Sequence, residues 1–172
     1  MTPPDAQLAA KHAFMLANAL KESNYSEDIE FFAALELGRK TLAQVGHENI
    51  DAEIGRDPRR LEDYRNSRWR LGSVRLDQCT VWQGMGQRPW AQGIVPAVAA
   101  EFRRRNDRTD RVWRMTKFAH LYREHLPIVI IERSGRFHID DGSHRAVAMA
   151  LVGVTETFAW IGYLDRPSRA FG

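Results

Sequence analysis

Along residues 7–22, Leu8, Phe14, Met15, Ala19 and Leu20 recur about once per helical turn, with Ala-rich filler between them. That spacing predicts an amphipathic helix. A second helix is expected over 28–45, with Ser26 as N-cap, acids at 27 and 28 at its start and Gly46 as its stop. Asp57-Pro58 reads as the N-cap and N1 of a short third helix. From Leu71 the period changes to two, and the alternation over 74–82 predicts a strand. Two glycines and a proline make 83–89 a loop, and helices are expected over 94–105 and 112–124. In the C-terminal third, the β-branched run 127–132 predicts a buried strand and Ser134-Gly135 a turn. Residues 136–140 then pair back as a second strand. A helix over 143–152 ends at Gly153 as its C′ residue, and 158–163 forms the last strand. The fold class is therefore mixed α/β. A helical segment, 1–66, is expected to pack on, or dimerise beside, a single compact core, 67–172.

Composition narrows the setting. With 172 residues, 44% of them hydrophobic and 27% charged, the chain is long enough for one cored domain and unlike collagenous or low-complexity sequences. No apolar run approaches the roughly 18–20 residues that span a bilayer. The first residues lack a signal-peptide pattern, and Cys79 is the only cysteine, so a reduced, cytoplasmic chain without membrane partners is expected. The 25 basic residues comprise 21 Arg and 4 Lys, and residues 51–172 carry a net +6 against −3 in the first 50. Arginine suits bidentate contacts to phosphate or carboxylate. The plainer reading of the Arg surplus is codon bias in a GC-rich genome.

Chemistry concentrates at the strand-to-helix junction His138-Ile139-Asp140-Asp141-Gly142-Ser143-His144-Arg145. A helix that starts after a tight glycine turn directs unpaired N–H groups outward at its positive dipole end. Ser143, His144 and Arg145 add donors suited to nucleotide phosphates, and Asp140 and Asp141 are candidate Mg²⁺ ligands. The structural alternative makes Asp141 an N-cap, Gly142 only a turn, and Arg145 the partner of Glu132 or Asp140.

The run Pro-Ile-Val-Ile-Ile-Glu at 127–132, followed by Gly-Arg-Phe-His-Ile at 135–139 and Asp-Gly-Ser-His-Arg-Ala at 141–146 with Ala148 and Gly153, resembles the core motif of the ParB/sulfiredoxin superfamily. The resemblance covers about 35 residues well, and residues 71–163 loosely. It implies a small mixed sheet of that type with an added helical N-terminal segment. It also implies a nucleoside triphosphate (ATP or CTP) with Mg²⁺, whose phosphates meet Gly142, Ser143, His144 and Arg145. Hydrolysis or transfer of a phosphate would then use Asp141, His144 and Glu132 as candidate catalytic groups. Ser143 stands where sulfiredoxins carry their reactive cysteine, which argues against sulfur chemistry. Only 19 residues follow Gly153, too few for the helix-turn-helix of ParB proper.

Two other readings remain open. The basic stretch 103–117, with seven basic and two acidic residues including Arg103, Arg104 and Arg105, would suit DNA or another polyanion. His138, Asp140 and His144 would suit a metal-dependent nuclease. Trp82 and Trp90 flank the Gly-rich loop as candidate base contacts.

Overall fold

The computed structural model describes residues 3–23, 25–82, 87–89 and 111–164. In chain order the elements are α1 (Pro3–Glu22), α2 (Asp28–Ala43), α3 (His47–Ile54) and α4 (Pro58–Asn66), followed by β1 (Ser67–Arg75), β2 (Cys79–Trp82) and β3 (Gln87–Pro89). Then come α5 (Arg111–Met115), α6 (Ala119–His125), β4 (Ile128–Arg133), β5 (Arg136–Asp141), α7 (Ser143–Leu151) and β6 (Glu156–Leu164). Among the described residues before Ser67 the regular elements are all helices, and the strands begin at Ser67.

The sheet order is β1-β6-β4-β5-β2-β3. β6 runs parallel to β4 and β2 parallel to β5, while the β1–β6, β4–β5 and β2–β3 pairs are antiparallel. The sheet is therefore mixed, and the fold is α/β in the general sense. β4 lies near its centre, with Ile128, Val129, Ile130 and Ile131 all at most 2% exposed. Successive strand side chains alternate faces, so both faces of β4 must be covered. α1 packs across β1 and β4, while α7 packs on β4 and α6 on β6.

α1 buries Ala6, Ala10, Ala13, Phe14, Ala17 and Leu20, a stripe at helical spacing whose small residues allow close approach. Asp51 of α3 accepts from Lys11 of α1 at 2.7 Å and from Arg65 of α4 at 2.9 Å, which ties three helices together. α4 starts as expected: Asp57 accepts from the amides of Arg59 and Arg60, with Pro58 at N1.

Several elements differ from the sequence expectation. The alternating stretch 74–82 is two strands joined by a 3₁₀ turn at Leu76–Gln78, and Leu76 in that turn is itself buried. The turn shifts the alternation: Val74 and Leu76 are buried, Gln78 is exposed, and Cys79 and Val81 are buried after it. α3 was not anticipated, because its only apolar anchors are Ile50 and Ile54. The helix expected over 112–124 is broken into α5, a 3₁₀ turn at Thr116–Phe118, and α6. Ser26 does not cap α2. Glu27 occupies the N-cap position, and the Ser26 hydroxyl donates to Glu30 at 3.2 Å. Within the predicted loop 83–89, residues 87–89 form an edge strand, where proline is tolerated. The helix expected over 94–105 lies outside the described residues.

The junction between β5 and α7 is fixed by Gly142, whose φ of 104° and ψ of 20° are left-handed. A Cβ there would lie 2.6 Å from Ile128 Cγ2 and 2.8 Å from Arg145 Nη2. Backbone strain and overpacking act together at this position. Gly142→Ala is expected to lower the unfolding free energy by about 2–5 kcal/mol in chemical denaturation. The control Gly46→Ala, where nothing lies within 4 Å of the added Cβ, should change it by less than about 1 kcal/mol.

Candidate functional site

The end of β5 is irregular. Ile130 pairs with Ile139, but Val129 pairs with Asp141, leaving Asp140 as the extra residue of a β-bulge. Such a bulge re-aims the side chains that follow it. Asp141 thereby takes the face of its partner Val129, the face that His138 shares through Ile131.

Both carboxylates are met by protein cations. Asp141, 6% exposed, accepts from Arg145 Nη2 at 2.9 Å, and Lys21 Nζ lies 3.8 Å from its other oxygen. Asp140 accepts from Arg60 Nε at 3.1 Å and from the Tyr64 hydroxyl at 2.8 Å. Burial pushes the Asp140 carboxyl above the usual range and the charge of Asp141 adds to this, against the opposing pull of Arg60 and the Tyr64 hydrogen bond. Burial raises the Tyr64 hydroxyl as well, well above its ordinary value, with the two aspartates contributing.

Arg145 is only 4% exposed. Its Nη1 donates to the carbonyls of Leu126 at 2.6 Å and Pro127 at 3.3 Å, while Nη2 holds Asp141. The guanidinium expected to grip a phosphate is thus bound to the segment between α6 and β4. Its structural partner is Asp141, neither Glu132 nor Asp140. Glu132 is remote from the junction: it accepts from the Gly135 amide at 2.6 Å and closes the β4–β5 hairpin.

Two clefts meet at Ser143. The first, about 190 Å³, is bounded by the end of α1, by α5 and α6, and by Gly142, Ser143, His144 and Arg145 at the start of α7. No side chain caps α7. Lys21, Ser23, Tyr25 and Arg114 complete this cleft. The second, about 540 Å³, lies between α4 and the sheet and includes Arg59, Arg60, Asp63, Arg133, His138 and Asp140. His138 Nδ1 is 2.5 Å from Thr80 Oγ1. Burial, with Arg133 and Arg136 nearby, lowers the His138 pKa and favours the neutral ring.

The residues named from the sequence are therefore divided. Gly142, Ser143, His144 and Arg145 converge on the first cleft. His138 and Asp140 line the second, apart from His144. The Mg²⁺ expectation for Asp140 and Asp141 does not fit the donor set, since protein cations already meet both carboxylates. Among the described residues, no group of three or more His, Cys, Asp or Glu side chains is placed to hold a metal ion. The Trp82 side chain, Trp90 and residues 103–105 lie outside the described residues. Sequence reasoning missed Lys21, Tyr25 and Arg114, because neither end of α1 carries a motif and the basic run 103–117 does not single out one arginine.

The chain matches no protein family, no curated protein and no solved structure. The geometry above is accordingly what bears on function.

Cys79 is 1% exposed, its thiol sits 3.6 Å from the Arg75 carbonyl, and burial pushes its pKa up to about 12. A thiol-specific reagent such as Ellman's should leave native protein unmodified at pH 8 and titrate one thiol after denaturation. Arg145→Ala should cost about 3–5 kcal/mol of stability in urea titrations, because it strands Asp141 in the interior. Lys21→Ala, by contrast, should cost less than about 1 kcal/mol, since Lys21 is a partly exposed partner.

Proposed function

We propose that the chain binds a nucleoside triphosphate, ATP or CTP, with its phosphates in the first cleft at the start of α7. The observation that carries this reading is the sign of charge around the two clefts. Among the described residues, Lys21, Arg114 and Arg145 line the first cleft and Asp141 pairs with two of them, a net of two positive charges beside a helix N-terminus with no side-chain cap. The larger cleft sets Arg59, Arg60 and Arg133 against Asp57, Asp63 and Asp140, which balance. A polyanion is therefore favoured in the smaller cleft despite its size. The resemblance to the ParB/sulfiredoxin superfamily supports the same place, with one change of role. Lys21 and Arg114 make the outer phosphate contacts, and Arg145 holds the floor.

The reading is of binding, without a hydrolytic step. Asp140 and Asp141 are ion-paired and Glu132 closes a hairpin, which leaves none of the three placed as a base at the phosphates. Binding also needs no protein-held Mg²⁺, for which the residues do not fit.

Calorimetric titration with ATP, CTP and GTP at low salt tests the proposal. At least one should bind, and Lys21→Ala and Arg114→Ala should each weaken it about tenfold, the value of one charge-assisted contact. Absence of binding by all three nucleotides overturns it. Arg145→Ala is a poor probe, because loss of binding there would follow from loss of structure.

A further inference from the structure

The first cleft has a wall that phosphates do not use. Opposite the start of α7 stand Ala17, Leu20, Tyr25, Met115 and Phe118. Phe118 is buried, while Tyr25 and Met115 are half-buried and present surface to the cleft. Tyr25 is locked on three sides. Its ring meets Phe118 edge-on with centroids 4.8 Å apart and Phe31 at 5.3 Å, and its hydroxyl lies 2.8 Å from that of Tyr122. Phe31 in turn stacks on Phe118 at 6.0 Å.

We propose that this wall receives the planar base of the bound nucleotide, so that the helical N-terminal segment supplies ring recognition through Tyr25. The inference rests on the phosphate-binding reading given above. A purely inorganic anion would satisfy Lys21, Arg114 and the α7 amides but leave the open surface of Tyr25 and Met115 facing water. A ligand with one charged end and one flat apolar end matches both halves of the cleft. Because its neighbours already fix the Tyr25 ring, little side-chain entropy is lost when a base packs against it. Met115, unbranched and adaptable, can adjust to the ring edge. At about 190 Å³ the cleft has room for one planar ring beside the phosphate-binding edge formed by Lys21, Arg114 and the start of α7.

The test compares inorganic tripolyphosphate with ATP, CTP, GTP and UTP by calorimetry at fixed ionic strength, on the full chain. In the unaltered protein at least one nucleotide should bind about tenfold or more tighter than tripolyphosphate, the gain expected from stacking one base. Two variants address the wall. Tyr25→Leu removes the ring. Ser23→Trp fills the cleft from an exposed position whose hydroxyl donates to the Ala19 carbonyl of α1, so it keeps the test open if Tyr25→Leu disturbs packing. In a variant with an unchanged thermal midpoint, the nucleotide advantage should fall to within about twofold while tripolyphosphate affinity is kept. Equal affinity for tripolyphosphate and all four nucleotides in the unaltered protein overturns the ring wall and leaves the phosphate reading standing. An advantage that survives both variants also overturns it. Binding by neither tripolyphosphate nor any nucleotide removes both readings.

Discussion

The buried ion pair between Asp141 and Arg145 is the constraint on which the rest of this structure turns. Two side chains of opposite charge, each about 5% exposed, sit one helical turn apart across the start of α7. Burying them is tolerable because the guanidinium also satisfies two main-chain carbonyls in the connection from α6 to β4. That arrangement holds three things in register: the end of β5, the start of α7 and the entry to the central strand. Gly142 between the pair has to be glycine twice over, once for its left-handed backbone and once for the space that Ile128 and Arg145 occupy. The short motif Asp-Gly-Ser-His-Arg is therefore a packing solution first. Of its other residues, Ser143 and His144 line the smaller cleft.

Charge bookkeeping around the two clefts then separates what is structural from what is available. Arg60 with Asp140, Arg133 with Asp63 and Arg145 with Asp141 are matched pairs. Lys21 reaches Asp141 only at 3.8 Å and is 43% exposed, and Arg114 is exposed at the mouth of the smaller cleft. Partly solvated cations beside a helix start, with a neutralised carboxylate behind them, form a concavity that is net positive among the described residues.

How much of this could be read in the sequence depended on the range of the interactions involved. β4, β5, α7 and β6 follow from local signals: a β-branched run, a Ser-Gly turn, a left-handed glycine and an Ala-rich helix with Gly153 at φ 86° after it. α4 followed from Asp57 and Pro58. The bulge at Asp140 was not legible, since Asp-Asp reads as ordinary alternation until its partner strand is known. The same is true of Arg145, because a guanidinium buried on carbonyls of Leu126 and Pro127 has no signature in its own segment. Lys21 and Tyr25 come from a stretch that reads only as packing helix and linker. Their place in the cleft arises from how α1 crosses β1 and β4, which pattern reasoning cannot supply.

The cleft joins Lys21 to Ser143 across more than 100 residues of intervening chain. Neither wall exists in the unfolded ensemble, so a ligand held there recognises only the native arrangement. Its binding is then linked to global folding, and occupancy raises the unfolding free energy in step with the logarithm of ligand concentration once the site is saturated. If the proposed ligand binds there, the abundance of the folded chain in a cell would follow that ligand's level, because its site lies between α1 and α7.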